Sequence, residues 1–344
     1  MCIRDSIGSI VTDNAANVTK MRQDLRKLEG HRNLIAYGCT AHILNLLAHD
    51  LEIPHVKEHV VQVVKYFRNN HLAAAAYKKE KMNKLVLPQE VRWNTMCDCL
   101  RQYIESWPVL MKICESFRGK IDKDVLAKVQ NVGLKRSAEE LLDRLLPISM
   151  ALDRVQQDKC CIADVVEVWA DLLNTLGSSP VTCVTESINR RYKQAVIDAH
   201  MLANVLHPKY QGKNLKEEET SRAMALASEF PGLIPITMKF QAKSPPFHES
   251  KFAEEAIQSL TPYEWWKSHA YAFKDGELLP VYSLMSATAS SAGVERVFST
   301  YGLVQSKLRN KLGTEKAGKL VFLFKVLNAR EDIEDEVPSP GDCD

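Results

Sequence analysis

No apolar run in this sequence approaches the roughly 18 consecutive residues that a membrane-spanning helix needs, and the N-terminus lacks a basic-then-apolar signal pattern. The expectation is a soluble intracellular chain with no membrane partner. Cysteine does not come as an even, closely spaced set. The nine lie at 2, 39, 97, 99, 114, 160, 161, 183 and 343; an odd number in a chain too long to need staples excludes a disulfide scaffold and leaves reduced thiols. No strict repeat period occurs, so a solenoid is not supported. Nor does one charge dominate: 45 Lys and Arg against 43 Asp and Glu give a net charge of +2, so any nucleic-acid contact must come from local patches. Residues 57–84 carry seven Lys or Arg against two Glu, and residues 331–344 carry seven acids and no base.

With 45% apolar residues, the 344-residue chain can bury a sizeable core and hold one large domain or two ordinary ones. Its opening Met1-Cys2-Ile3-Arg4-Asp5 back-translates as ATG-TGT-ATA-AGA-GAC, which resembles the end of a common sequencing-library adapter. Residues 1–6 are therefore expected to be non-native, with the native protein extending upstream. Residues 7–12 are β-branched and end at Asp13-Asn14, which reads as a buried strand entering a turn. Asn14 is placed to cap a helix carrying Val18, Met21, Leu25 and Leu28. A second extended run, 34–37, stops at Gly38, and Ile43, Leu44, Leu47 and Leu51 mark one face of the next helix.

From there to about 230 helical spacing dominates, as in Leu141, Leu142, Leu145, Leu146, Ser149 and Leu152, or Ile162, Val165, Val166, Trp169, Leu172 and Leu173. Residues 231–246, broken by Pro231-Gly232, Pro235 and Pro245-Pro246, read as a linker. Helix resumes over about 252–269, and 280–285 fits strand or helix equally. Ser290 or Ser291 caps a helix through Phe298. Another begins near Thr314, and its run from Leu320 to Leu327 leaves little polar face, so it is buried in its own domain or against a partner. The acidic end after Arg330 is expected to be disordered.

The strings 11–18 (VTDNAANV), 38–47 (GCTAHILNLL), 92–95 (RWNT), 202–213 (LANVLHPKYQGK), 263–269 (YEWWKSH) and 290–323 (SSAGVERVFSTYGLVQSKLRNKLGTEKAGKLVFL) occur in the order seen in hAT-superfamily DNA transposases and their domesticated relatives. They span nearly the whole chain, and the last resembles the hAT C-terminal dimerisation region. The resemblance implies an α+β, predominantly helical fold. A partial ribonuclease H-like core (7–99) is interrupted by a large all-α insertion (100–245); a return to the core with the dimerisation region (246–330) and an acidic tail (331–344) follow. It implies Mg²⁺ or Mn²⁺ held by three carboxylates, two of them Asp13 and Glu295. It also implies transposon-end DNA as partner, a homodimer or higher oligomer, and a nuclear location. The family's first Asp and its BED-type zinc finger belong upstream of Asp13. Without that Asp, the chain is expected to hold metal weakly and not to cut DNA.

The residue types suit that chemistry. DNA cleavage and strand transfer move a phosphoryl group, and two hard cations about 3.5–4 Å apart, held by carboxylates, activate the attacking oxygen and stabilise the leaving one. Asp13 either points from a strand end into such a site or opens an Asx turn. Glu295 is either a ligand or an acid favoured by a helix dipole. Cys39-x-x-His42 lacks the second pair that structural zinc needs; in relatives this element lies beside the active site, so His42 either contacts DNA or is a hydrogen-bonded helix residue. Arg92 and Trp93 suit a guanidinium grip on phosphate and an indole stacked on a flipped base, or else a loop packed on the core. Lys78, Lys79 and Lys81, and Lys307, Arg309 and Lys311, face solvent or DNA backbone. Trp265, Trp266, Phe298, Leu320 and Phe324 are expected in the core and dimer interface. A second reading keeps these residues in a domesticated nuclear protein that acts in protein association or transcriptional regulation without catalysis.

Overall fold

The structure, a computed structural model, describes residues 7–25, 27–28, 34–80, 83–89, 93–304 and 313–335. The chain divides into two units, Met1–Ser290 and Ser291–Asp344, and it is predominantly helical. No described helix is long and apolar enough to cross a membrane.

The first unit opens with β1 (Ser9–Thr12), α1 (Ala16–Leu25) and β2 (Ile35–Gly38). The strands pair in parallel, Ser9 opposite Ile35 through Thr12 opposite Gly38, and form the only sheet among the described residues. A parallel pair needs a crossover, and α1 supplies it. Three expectations fail here. The first strand is half-buried, not buried, and the apolar stripe of α1 does not face the core. Met21 is exposed, Leu28 lies exposed beyond the helix end, and the buried residue is Arg22. Asn14 is not the cap of α1 either, because its amide crosses to the end of β2.

The helices that follow are α2 (Thr40–Asp50), α3 (Val56–Asn69), α4 (His71–Lys79), α5 (Trp93–Ser116), α6 (Lys123–Gln130), α7 (Val132–Val155), α8 (Ile162–Leu176), α9 (Thr182–Ala195), α10 (Asp198–Leu206) and α11 (Glu217–Ala227). The starts of α4, α6 and α7 are encoded locally. Asn70 Oδ1 accepts from Leu72 N and Ala73 N at 3.1 Å, Asp122 Oδ1 from Asp124 N at 2.9 Å, and Asn131 Oδ1 from Leu134 N at 3.1 Å; each meets donors that the first turn leaves unpaired. In α7 the buried residues Leu134, Ala138, Leu141, Leu145, Ile148, Leu152 and Val155 alternate by four and three. That stripe packs against α2, α5 and α8. α5 runs unbroken through the boundary placed at 99/100.

The expected linker is part of the core. Residues 231–246 contain α12 (Leu233–Gln241), whose Phe240 is buried with Phe247 against the indoles of α14 (Pro262–Lys267), which α13 (Glu254–Ser259) precedes. Gly232 supplies a left-handed residue (φ 80°) before α12, and Pro235 falls in its first turn, where no intrahelical N–H bond is lost. Residues 280–285 belong to a helix, α15 (Leu279–Met285). The second unit holds α16 (Ala292–Val304) and α17 (Thr314–Asp335), so the helix continues five residues past 330; 336–344 lie outside the described residues.

Candidate functional site

Because β1 and β2 are parallel, their carboxyl ends share one edge, the position where open α/β sheets place ligands. Asp13 follows β1 there with an exposed side chain, and α2 begins there after β2. The edge is knit by short polar contacts. Cys39 N donates to Thr12 O at 2.7 Å, and Asn14 Nδ2 donates to Cys39 O at 3.0 Å. The buried Arg22 guanidinium donates to Thr12 Oγ1, to Asp13 O at 2.6 Å and to Thr19 Oγ1 at 3.1 Å. Burial pushes the Arg22 pKa down, with the Asp13 charge acting against that. Asp13 Oδ1 accepts from Ala15 N at 3.1 Å, the Asx turn, which leaves Oδ2 and the second lone pair of Oδ1 without a use in that turn.

On the other side of the edge, Cys39 caps α2 without a side-chain hydrogen bond, and the first turn contains no acid. The positive end of the α2 dipole therefore meets the Asp13 edge without a neutralising side chain. His42 sits in that first turn, half-buried. Behind the edge, Thr40 N donates to Ala289 O at 3.2 Å and the buried Tyr37 hydroxyl to Thr288 O at 2.8 Å. The structure thus brings Asp13 and the Cys39–His42 turn to one edge of the first unit.

Gly38 is fixed by this arrangement, since a Cβ built on it would lie 1.7 Å from Asn14 Oδ1. Gly38→Ala is expected to expel the Asn14 side chain, break its bond to Cys39 O, and lower stability by about 1–2 kcal/mol. Urea unfolding checks this; an unchanged midpoint would contradict it.

Glu295 lies exposed in the first turn of α16, in the second unit, and Ser291 Oγ donates to its Oε1 at 3.0 Å. Arg92 and the Trp93 side chain lie outside the described residues, as do Lys81, Lys307, Arg309 and Lys311. Within the same motif, Asn94 bonds Ser149 (2.6 Å) and Asp153, and Thr95 Oγ1 accepts from Gln89 N at 2.8 Å, so those two residues tie α5 to α7 and to the preceding loop. Trp265 and Trp266, expected in core and dimer interface, are 2% and 0% exposed within the first unit. A side chain enclosed by its own chain offers no surface to a second copy. Phe298, Leu320 and Phe324 are exposed at 70%, 43% and 47%.

A second polar cluster was not legible. Cys161 starts α8, and its N–H donates to Asp164 Oδ2 at 2.8 Å. The Tyr210 hydroxyl donates to Asp164 Oδ1, and its ring stacks on His207 at 4.2 Å between centroids. His207 Nδ1 accepts from Lys209 N at 3.2 Å. Burial pushes the His207 pKa down to about 4 and the Cys161 thiol well up. The adjacent Asn204 amide donates to Ala163 O at 3.1 Å and Glu167 Oε1 at 2.8 Å, and Trp266 Nε1 donates to Leu206 O at 2.9 Å. The string 202–213, buried over 202–208, therefore joins α8, α10 and α14. Paired Cys160-Cys161 gave no spacing signal, and His207 is 43 residues from Asp164; only the fold joins them.

Compared with known proteins, the chain matches no family model and no curated protein.

Proposed function

We propose that this chain is a hAT transposase-like protein whose ancestral activity is metal-dependent DNA cleavage and strand transfer, with a ribonuclease H-like core and dimerisation through the second unit. The observation that carries the reading is Asp13 at the carboxyl edge of a parallel strand pair, beside the N-terminus of α2, whose first turn carries no acid. The Asp13 carboxylate would hold Mg²⁺ or Mn²⁺ through hard oxygens, the ion would supply Lewis-acid activation for phosphoryl transfer, and the α2 dipole would favour a phosphate nearby. Asp13 and Glu295 are the assigned metal ligands, and His42, Arg92 and Trp93 the DNA contacts. The nuclear location belongs to the same reading.

Dimerisation rests on α16 and α17, where Phe298, Phe322, Leu323, Phe324 and Leu327 are all exposed in the single chain. Apolar side chains so grouped are a partner surface by default. Light scattering at micromolar concentration is expected to give a dimer or higher oligomer, and Phe324→Asp a monomer; a monomer throughout would count against this. The enzymatic and domesticated readings separate on the gene. An Asp closing a strand upstream, with matching inverted repeats flanking the locus, supports a transposase; the absence of both supports the domesticated protein.

A further inference from the structure

The geometry points to a second metal site, independent of Asp13: we propose that Cys161, Asp164 and His207 bind one zinc-class divalent cation. The three residues arrive from separate parts of the first unit. Cys161 is pinned by an antiparallel bridge in which Ala289 N donates to Cys160 O at 3.0 Å and Ile162 N to Ala287 O at 2.9 Å. Asp164 stands one turn into α8, and His207 follows the end of α10. One ligand atom from each lies within 4.8 Å of the other two, the one such group among the described residues. A tetrahedral zinc with bonds of about 2.0–2.3 Å sets its ligands about 3.3–3.8 Å apart, so closing the site takes a movement of about 1 Å.

The donor set chooses the metal. Thiolate, imidazole and carboxylate are the ligands zinc takes, whereas Mg²⁺ wants oxygen alone. The supporting shell is already built: the Tyr210 hydroxyl holds Asp164, and its ring holds the plane of His207. A cavity of about 160 Å³, lined by Lys159, Cys161, Asp164, His207, Tyr210 and Trp265 among others, leaves room for a water or an outside ligand in the fourth position. Cys161 is a thiol without metal; as the metal–sulfur bond forms, its proton leaves to solvent, which makes binding pH-dependent.

One bond in the metal-free chain must give way. Lys209 N donates to His207 Nδ1. A metal on Nδ1 replaces that donor, and a metal on Nε2 moves the ring proton to Nδ1, where it faces Lys209 N–H. Either way the Lys209 amide reports occupancy.

Co²⁺ added to the full chain is expected to bind at one equivalent, with a thiolate-to-metal charge-transfer band and intense tetrahedral d–d bands that Zn²⁺ abolishes. Cys161→Ser and His207→Gln should lose the band, while Cys183→Ser, at an exposed thiol, keeps it. Because Cys161 also starts a helix and its serine variant could fold poorly, the ¹⁵N–¹H resonance of Lys209 is followed in the unsubstituted chain and is expected to shift on Zn²⁺ addition. No thiolate band, a band that survives Cys161→Ser in a chain of unchanged helicity, or a Lys209 resonance unmoved by excess Zn²⁺ overturns the proposal.

Discussion

Trp266→Ala is expected to destabilise the first unit by about 3–5 kcal/mol, the range for deleting a fully buried indole from a packed core. Trp266 is 0% exposed, with Phe240 stacked at 5.1 Å between ring centroids and Phe247 edge-on at 5.1 Å. Its indole also donates to Leu206 O at 2.9 Å, so truncation leaves that buried carbonyl unpaired as well. Trp265→Ala is expected to act in the same direction, since its Nε1 donates to Lys251 O at 3.0 Å and its ring stacks on Phe247 at 5.9 Å. Urea unfolding followed by circular dichroism measures the loss. Variants of unchanged stability that nonetheless dissociate an oligomer would return these residues to an interface and contradict the core assignment.

The second large effect is acid lability. His200 is wholly buried, with Nδ1 accepting from Ile197 N at 3.3 Å, its ring edge-on to Tyr37 at 5.5 Å and Nε2 without a partner. Burial holds its pKa at about 4, and that of His207 also at about 4, against an ordinary 6.5. Below pH 6.5 the unfolded chain takes up protons that the folded chain refuses, so stability falls as pH drops from 6.5 toward 4 and levels off below that. Each histidine contributes roughly 3 kcal/mol across that window, because every pH unit separating the folded from the unfolded pKa is worth about 1.4 kcal/mol. Asp50 adds to the loss at lower pH. Its burial works to raise its pKa, but the hydrogen bonds and charges of Arg191 and Arg190 hold it below the usual carboxylate range. Its contribution is present above the ordinary value and fades as pH falls through the folded one. Urea midpoints at pH 7, 6 and 5 should drop steeply, and His200→Gln should flatten part of the slope. A flat profile between 6.5 and 5 would contradict neutral buried histidines.

Helix positions were legible where one face repeats. The stripes of α2, α7 and α8 face the core, with Leu142, Leu146 and Leu173 half-buried at their margins, because period 3.6 leaves no other arrangement once one side is apolar. The two strands were legible as short extended runs ending at Asp13-Asn14 and Gly38. What failed were cases where tertiary contacts overrode a local signal. Asn14 suits a helix cap, but the end of β2 offered its amide a better-placed carbonyl, Cys39 O. The prolines of 231–246 break helix in isolation, yet Pro235 falls in a first turn, and Phe240 and Phe247 needed covering. α1 buries an arginine because Thr12, Asp13 and Thr19 supply its acceptors, a requirement invisible to hydrophobic spacing. Of the candidate site, Asp13 and the Cys39–His42 turn were legible as strand-to-helix junctions; their sharing of one edge follows only from parallel pairing.

The most direct test of the central claim is to map where Mn²⁺ binds, using paramagnetic broadening of backbone amide resonances in the ¹⁵N-labelled chain. Millimolar Mn²⁺ is predicted to broaden the amides around Asp13 together with those of the Cys39–His42 turn, and Asp13→Asn is predicted to remove that effect with the fold intact. Broadening that bypasses this edge, or that persists unchanged in Asp13→Asn, would contradict the assignment of the β1 and β2 carboxyl edge as a metal-dependent site.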